Sequence, residues 1–303
     1  MVKSRSSMKD NPYALMGMLL VMWGSFSAVS KLTLGQLDSF QVQFFMFGMA
    51  IVIMTIMMCL NGKITEFRKL TMKDYIKLFL YSLPSFLYYF LYILALKMIP
   101  AIEASMLNYM FPVMIVIFAI PINGEKLNIQ KIISIILGFI GMAVVITNGG
   151  LYGIRLTNMT GDILAIGAAV CWGVFSNLGK RNNIDQFVSN YAYTFVSFVL
   201  SFICMTVFSR FIIPDVNVLS GILWNSSSNI VCSYFLWFRV LKITTSALAA
   251  SLSFVTPFIT LVFIMLLLGE KITVAQMAGF LLIILGIAVQ SLFSIFKRAN
   301  LTF

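Results

Sequence analysis

The stretch Ala101–Lys126 gathers residues able to meet a solute inside a membrane. Glu103 opens an apolar run with no further charge until Glu125, and Pro112 sits within it. A proline inside a helix cannot donate to the carbonyl four residues back. Here that carbonyl belongs to Asn108, so the reading frees one acceptor at membrane depth, beside the Asn108 amide and Tyr109. In hydrocarbon such a group needs a partner or a water-filled cavity. Ser246–Lys271 repeats the arrangement 145 residues later, with Pro257 and Gly269-Glu270-Lys271 matching Pro112 and Gly124-Glu125-Lys126. A breaker in corresponding segments of two halves points to a transporter's binding site, which makes Pro112 and Pro257 the candidate break and gating positions. Glu103 has two readings. One is an acid in a first helical turn, favoured by the helix dipole, with Lys97 across the loop. The other is an intramembrane acid that touches solute or a proton. Its counterpart is Leu248, and that asymmetry suits a site better than a scaffold.

Two more patterns add candidates. Trp23, Ser27 and Lys31 recur every four residues, hence on one helical face, and Trp172, Ser176 and Lys180 repeat them in a matching segment. Gly24 and Gly173 beside the tryptophans suit close helix packing. Lys31 and Lys180 read as helix ends snorkelling to water. Tyr81, Ser85, Tyr88 and Tyr92 form a second stripe, matched at an offset of 145 by Ser226, Ile230, Ser233 and Trp237, with Asn225 and Asn229 adding amides. The stripes read either as hydrogen-bonded packing between helices or as an aromatic, hydroxyl-lined cavity wall.

The elements that must carry these residues follow from composition. Of 303 residues 60% are apolar and 10% charged, which excludes an ordinary soluble domain. Uncharged stretches cover Asn11–Ser30, Ser39–Gly62, Leu78–Leu96, Ala104–Gly124, Ile132–Ile154, Ile163–Gly179, Gln186–Ser209, Val216–Phe238, Ile243–Gly269 and Ile272–Phe296. Each is long enough for a membrane-spanning helix, giving ten spans. Gly138, Gly141, Gly279 and Gly286 in the fifth and tenth fit close packing. Asp10 and Asp162 read as caps at the starts of spans.

The net charge of +11 does not indicate nucleic acid, because the basic residues are scattered over short loops. With the N-terminus inside, five of the 21 Lys and Arg (Lys31, Lys97, Arg155, Arg210 and Lys271) fall outside and all others inside. That bias places both termini in the cytoplasm. The basic connection 61–74 reads as a topology determinant near anionic lipid. The basic N-terminus and first apolar run mimic a signal peptide, but nine further spans favour an uncleaved first helix. Cys59, Cys171, Cys204 and Cys232 show no close pairing and histidine is absent, so no metal or cofactor is expected.

The repeat divides the chain into a tail (1–12), a five-span repeat (13–147), a linker (148–160), a second repeat (161–296) and a C-terminal tail (297–303). An odd number of spans per half inverts the second half relative to the first, which supplies the two pseudo-equivalent states of alternating access.

With Trp23-Gly24, Trp172-Gly173 and the paired Pro…Gly-Glu-Lys segments in hand, the sequence resembles the drug/metabolite transporter superfamily, with two EamA-type repeats over nearly the whole chain. Ala101-Ile102-Glu103, Asn108-Tyr109, Pro112 and Asn123-Gly124 further resemble the bacterial aromatic-amino-acid exporters of that superfamily. Those typically place Trp before the proline, where this chain has Phe111. The resemblance implies an all-α basket of ten transmembrane helices around a central cavity, in a bacterial cell membrane. It points to Trp23, Tyr88, Tyr92, Asn108, Tyr109, Phe111 and Trp172.

The candidate solute-binding set is therefore Trp23, Ser27, Tyr88, Tyr92, Glu103, Asn108, Tyr109, Phe111, Trp172, Ser233 and Trp237. Deep arginine or lysine, which a phosphate site would want, is missing at mid-span. The set fits export of a zwitterion or neutral solute with an apolar side chain, such as an amino acid. The alternative is a cationic drug or quaternary amine held by cation–π contacts. A polytopic membrane enzyme finds neither paired intramembrane acids nor a nucleophile motif. The expected partners are a small-molecule solute and the lipid bilayer, with the chain as monomer or dimer.

Overall fold

The computed structural model describes residues 11–99, 104, 107–147, 149–150, 158–268 and 273–299. Glu103 and Gly269-Glu270-Lys271 lie outside them, as does Asp10. The described residues form α1 (Pro12–Thr33), α2 (Ser39–Leu60), α3 (Ile64–Arg68), α4 (Met72–Met98), α5 (Phe111–Asn123), α6 (Ile129–Thr147), α7 (Met159–Arg181), α8 (Gln186–Phe208), α9 (Val216–Trp224), a π-helical segment (Asn225–Cys232), α10 (Ser233–Ile243), α11 (Ser246–Ser253), α12 (Thr256–Leu268) and α13 (Val274–Ala299). The fold is an all-α polytopic membrane protein. Helices α2, α4, α7 and α8 are each long and apolar enough by themselves to cross a membrane.

Local chemistry sets the helix starts. Asn11 caps α1 with Pro12 at the first helical position, where a missing N–H costs nothing. Capping boxes open α2 (Asp38 with Gln41) and α4 (Thr71 with Asp74), satisfying orphan amides at both ends of the box. The sixth span, the shortest uncharged stretch in the sequence, extends to 23 residues because Asn158 caps it. Asn158 is thus the cap, and Asp162 sits buried in the first turn. The basic connection is ordered rather than loose. It contains α3, Lys63 pairs with both Glu66 and Asp185, and the Tyr75 hydroxyl donates to the Phe67 carbonyl. These pairs favour the charged form of Lys63 and raise its pKa.

The packing respects the repeat. α6 packs on α13 and α2 on α8, each pair joining equivalent spans of the two halves. α7 packs against α4 and α5, while α1 packs against the α9–π–α10 span and α12. Exchanging the halves maps these neighbours onto one another. The close approaches obey the same exchange. A Cβ on Gly173 would lie 2.7 Å from the Met114 Cβ, and one on Gly24 would lie 2.8 Å from Ile259 Cγ2. Met114 and Ile259 are themselves equivalent by the 145-residue offset. Gly141 and Gly279 face one another where α6 crosses α13, so that a Cβ on either would lie within 3 Å of the other's carbonyl oxygen.

Both proline segments are broken helices, with the break displaced from its sequence expectation. The helix does not run through Pro112. Tyr109 and Met110 form a turn, α5 begins at Phe111, and Pro112 is its second residue. Phe254 and Val255 form the equivalent turn before Thr256 and Pro257. The prolines therefore start half-helices, where no N–H is needed, instead of interrupting continuous ones.

Candidate functional site

A central cavity is lined by Trp23, Phe26, Tyr88, Tyr89, Tyr92, Asn108, Tyr109, Phe111, Trp172, Asn229 and Thr256. α1, α4, the turn before α5, α7, the π segment and the start of α12 converge on it. These residues leave ≈ 40 Å³ in which the centre of a water-sized molecule can sit, room for about three waters. Admitting a larger solute therefore requires the walls to part.

The rings interlock. Trp23 meets Trp172 edge-on at 5.8 Å between centroids and Phe111 edge-on at 6.1 Å. Tyr88 lies 4.7 Å from Trp172 and stacks on Tyr92 at 6.1 Å. Edge-to-face and offset arrangements of this kind are favoured by the ring quadrupoles. Among the described residues the polar lining is uncharged. Asn108 Nδ2 donates to the Tyr88 hydroxyl at 3.5 Å, and the Tyr89 hydroxyl donates to the Asn229 carbonyl at 2.9 Å.

Seven of the sequence candidates come together here: Trp23, Tyr88, Tyr92, Asn108, Tyr109, Phe111 and Trp172. Ser233 and Trp237 do not reach the lining. Trp237 is fully buried behind it, 5.1 Å from Trp23, with Nε1 donating to Ser176 Oγ at 3.0 Å. The Ser233 hydroxyl donates back to the Asn229 carbonyl at 2.6 Å. The cause is the π segment. Its i→i+5 bonding fits extra residues into each turn, so an α-helical spacing rule assigns the wrong face of this span. Ser27 lies in α1 but its side chain, like Glu103, is outside the description. Phe26, Tyr89, Asn229 and Thr256 complete the lining without having been chosen. Thr256 is the 145-residue equivalent of Phe111, and Phe26 follows Trp23 at i+3, so both carried a usable signal. Tyr89 sits off the tyrosine stripe and carried none.

A second polar cluster closes the end of the basket at Glu125. Gly124 ends α5 in a left-handed conformation, φ 66°, which glycine adopts without penalty. Glu125 Oε1 then accepts from Lys180 Nζ at 2.7 Å, the Ser246 hydroxyl at 2.7 Å and the Ser246 amide at 3.1 Å. Lys180 Nζ also donates to the Thr244 carbonyl at 3.0 Å. Lys180 is thus held in a network joining the two halves and does not snorkel. Burial pushes Glu125 up, but the Lys180 and Ser246 donors outweigh it and leave its carboxyl below the usual value.

A helical basket of two equivalent halves, with two broken helices and an aromatic cavity between them, is the architecture of a membrane transporter. The EamA-like transporter family model matches residues 11–147 and again 159–292, and the chain belongs to that family. Among similar proteins are the uncharacterized transporter YyaM of Bacillus subtilis, 25% identical over 93% of each chain, and an uncharacterized transporter of Archaeoglobus fulgidus, 23% identical over 92% of this chain and 97% of its own. The aromatic amino acid exporter YddG of Ancylobacter novellus is 32% identical over 95 residues, 31% of this chain and 33% of that one. A solved crystal structure shares the fold with a TM-score of 0.80 at 19% identity, covering 93% of this chain and 98% of its own.

Proposed function

We propose that this transporter exports small zwitterionic or neutral solutes with an apolar side chain, amino acids foremost, by alternating access across a bacterial cell membrane. The carrying observation is the cavity chemistry. Rings surround the space, amides and a threonine supply its polarity, and none of the described lining residues is charged. Rings stack on an apolar side chain, and amides meet a zwitterion's polar end. The partial similarity to a protein named as an aromatic amino acid exporter supports the same class.

Both termini lie in the cytoplasm in this reading, which puts the Glu125 cluster at the inner end. Transport runs mainly on the solute's own gradient. Glu103, the one acid the sequence places within reach of the cavity, positions an amino group and carries no proton. A cationic drug or quaternary amine is the second reading, favoured by the clustered tryptophan and tyrosine faces.

A thermal-shift screen of detergent-purified protein tests the assignment. A ligand at 100 times its dissociation constant adds about 2.7 kcal/mol of stability. Apolar amino acids are expected to stabilise. Stabilisation by quaternary amines alone favours the second reading, and by phosphorylated solutes alone overturns both. Cysteine accessibility in intact cells, in a background without native cysteines, tests orientation. Glu270→Cys should label with an impermeant reagent and Glu125→Cys should not.

A further inference from the structure

Two amide oxygens in the cavity wall have no hydrogen-bond partner: Asn108 Oδ1 and Asn229 Oδ1. Both residues line the cavity, and they are only 4% and 2% exposed. Buried polar atoms are almost always paired, so each exception calls for an explanation. Two on one cavity point to a ligand that supplies the missing donors.

The orientation of Asn229 is fixed by its neighbours. Its Nδ2 donates to Asn225 Oδ1 at 3.3 Å and to Ser228 Oγ at 2.9 Å. Asn225 Nδ2 donates in turn to Ser30 Oγ at 3.1 Å, which leaves Asn225 Oδ1 as an acceptor. The Ser228 hydroxyl already spends its proton on the Trp224 carbonyl at 2.6 Å. Turning the Asn229 amide over would set its oxygen against an acceptor and against a hydroxyl with no proton to give. The unpartnered atom of this cavity-lining residue is therefore its oxygen. Consecutive tyrosines hold the two asparagines, Tyr88 at the Asn108 side chain and Tyr89 at the Asn229 backbone. The π segment adds a reason for Asn229's place, since such segments gather at functional sites.

We infer that Asn108 and Asn229 form an amino-group subsite, their two side-chain oxygens accepting N–H donors from the primary ammonium of an amino acid solute. The inference rests on the amino-acid reading of this cavity. An ammonium offers three donors and no acceptor, and the neighbouring ring faces favour its charge. A solute without the amino group would leave both oxygens unpaired, the situation by which a polar site rejects an analogue lacking its hydrogen-bonding group.

The test compares binding of L-phenylalanine, phenethylamine and 3-phenylpropionate to the purified full chain. Wild type should bind phenylalanine at least tenfold more tightly than 3-phenylpropionate, and should retain phenethylamine. Asn229→Ala should remove most of that discrimination. Because Asn229 also braces the π segment, Asn108→Asp serves as the second variant. Its carboxylate can accept from Tyr88, and it should widen the preference for the two amines over 3-phenylpropionate. Equal wild-type affinity for phenylalanine and 3-phenylpropionate overturns the subsite while leaving amino acid transport standing. So does unchanged discrimination in both variants with folding retained. Failure of every amino compound to bind overturns the subsite and the proposed function together.

Discussion

Spans three and eight occupy equivalent places in the two halves, yet they build different walls. α4 is one unbroken helix through Pro84, and it presents Tyr88, Tyr89 and Tyr92 to the cavity. Its counterpart contains Asn225–Cys232 in π conformation and presents Asn229. The backbone scaffolding around them stays matched: the Gly24 and Gly173 crossings, the paired turns before Pro112 and Pro257, and the exchange-symmetric neighbours. The two halves thus share the geometry that the proposed alternating access would use and differ in the side chains that line the cavity. An asymmetric solute, apolar at one end and polar at the other, fits an asymmetric pair of walls.

The shared geometry should break hardest. Gly173→Ala places a Cβ 2.7 Å from the Met114 Cβ and 2.8 Å from its backbone carbon, and overpacking of that kind costs up to about 3 kcal/mol. Gly24→Ala meets the Ile259 Cγ2 methyl at 2.8 Å but comes no nearer than 3.3 Å to the facing backbone, so its thermal midpoint in detergent should fall less. Equal midpoints for both variants and wild type would remove the close-crossing argument.

The ring wall comes next. Trp172→Ala or Tyr88→Ala should weaken apolar amino acid binding tenfold or more, taking about 1–3 kcal/mol per stacked ring, with helical content unchanged by circular dichroism. Normal affinity in both would reduce the stripe to packing.

The Glu125 cluster is smaller in effect because it is partly exposed, with Lys180 and Glu125 side chains at 18% and 16%. Glu125→Gln should cost about 1–2 kcal/mol by weakening the bonds that hold Lys180. The pH dependence has a definite sign. A carboxyl whose folded pKa is depressed stabilises above its unfolded value and loses that stability as pH falls through the lower folded value. The gap between wild type and Glu125→Gln should therefore narrow below about pH 4. A gap that widens on acidification would contradict the network.

Trp237→Phe should have the mildest effect. It gives up the bond to Ser176, worth about 1 kcal/mol, and should shift solute affinity by less than Trp172→Ala does, because Trp237 stands behind the wall. An equal or larger loss would place it in the wall after all.

The sequence legible to periodicity was the α-helical part. Trp23 and Trp172 fall at mid-span on repeated stripes, and Tyr88 and Tyr92 lie on an i, i+4 spacing that survives in α4. The glycine crossings were readable because a small residue flanked by bulky ones has few other uses at mid-membrane. The π segment was not readable: Asn225-Ser-Ser-Ser-Asn229 has no apolar period, and its register shift hid Trp237 and Ser233 behind the lining. The proline breaks were located to within a few residues, but whether a proline interrupts a helix or begins one depends on the two turn residues before it. Lys180 looked like a lone basic helix end because its partners Glu125 and Ser246 come from other spans, 55 and 66 residues away.

The most direct measurement of the central claim is counterflow of labelled L-phenylalanine into proteoliposomes preloaded with unlabelled phenylalanine, with no pH gradient. The account predicts a transient overshoot of label in wild type and its loss in Trp172→Ala. No overshoot without an imposed pH gradient, or an undiminished overshoot in Trp172→Ala, would contradict a gradient-driven passage through this aromatic cavity.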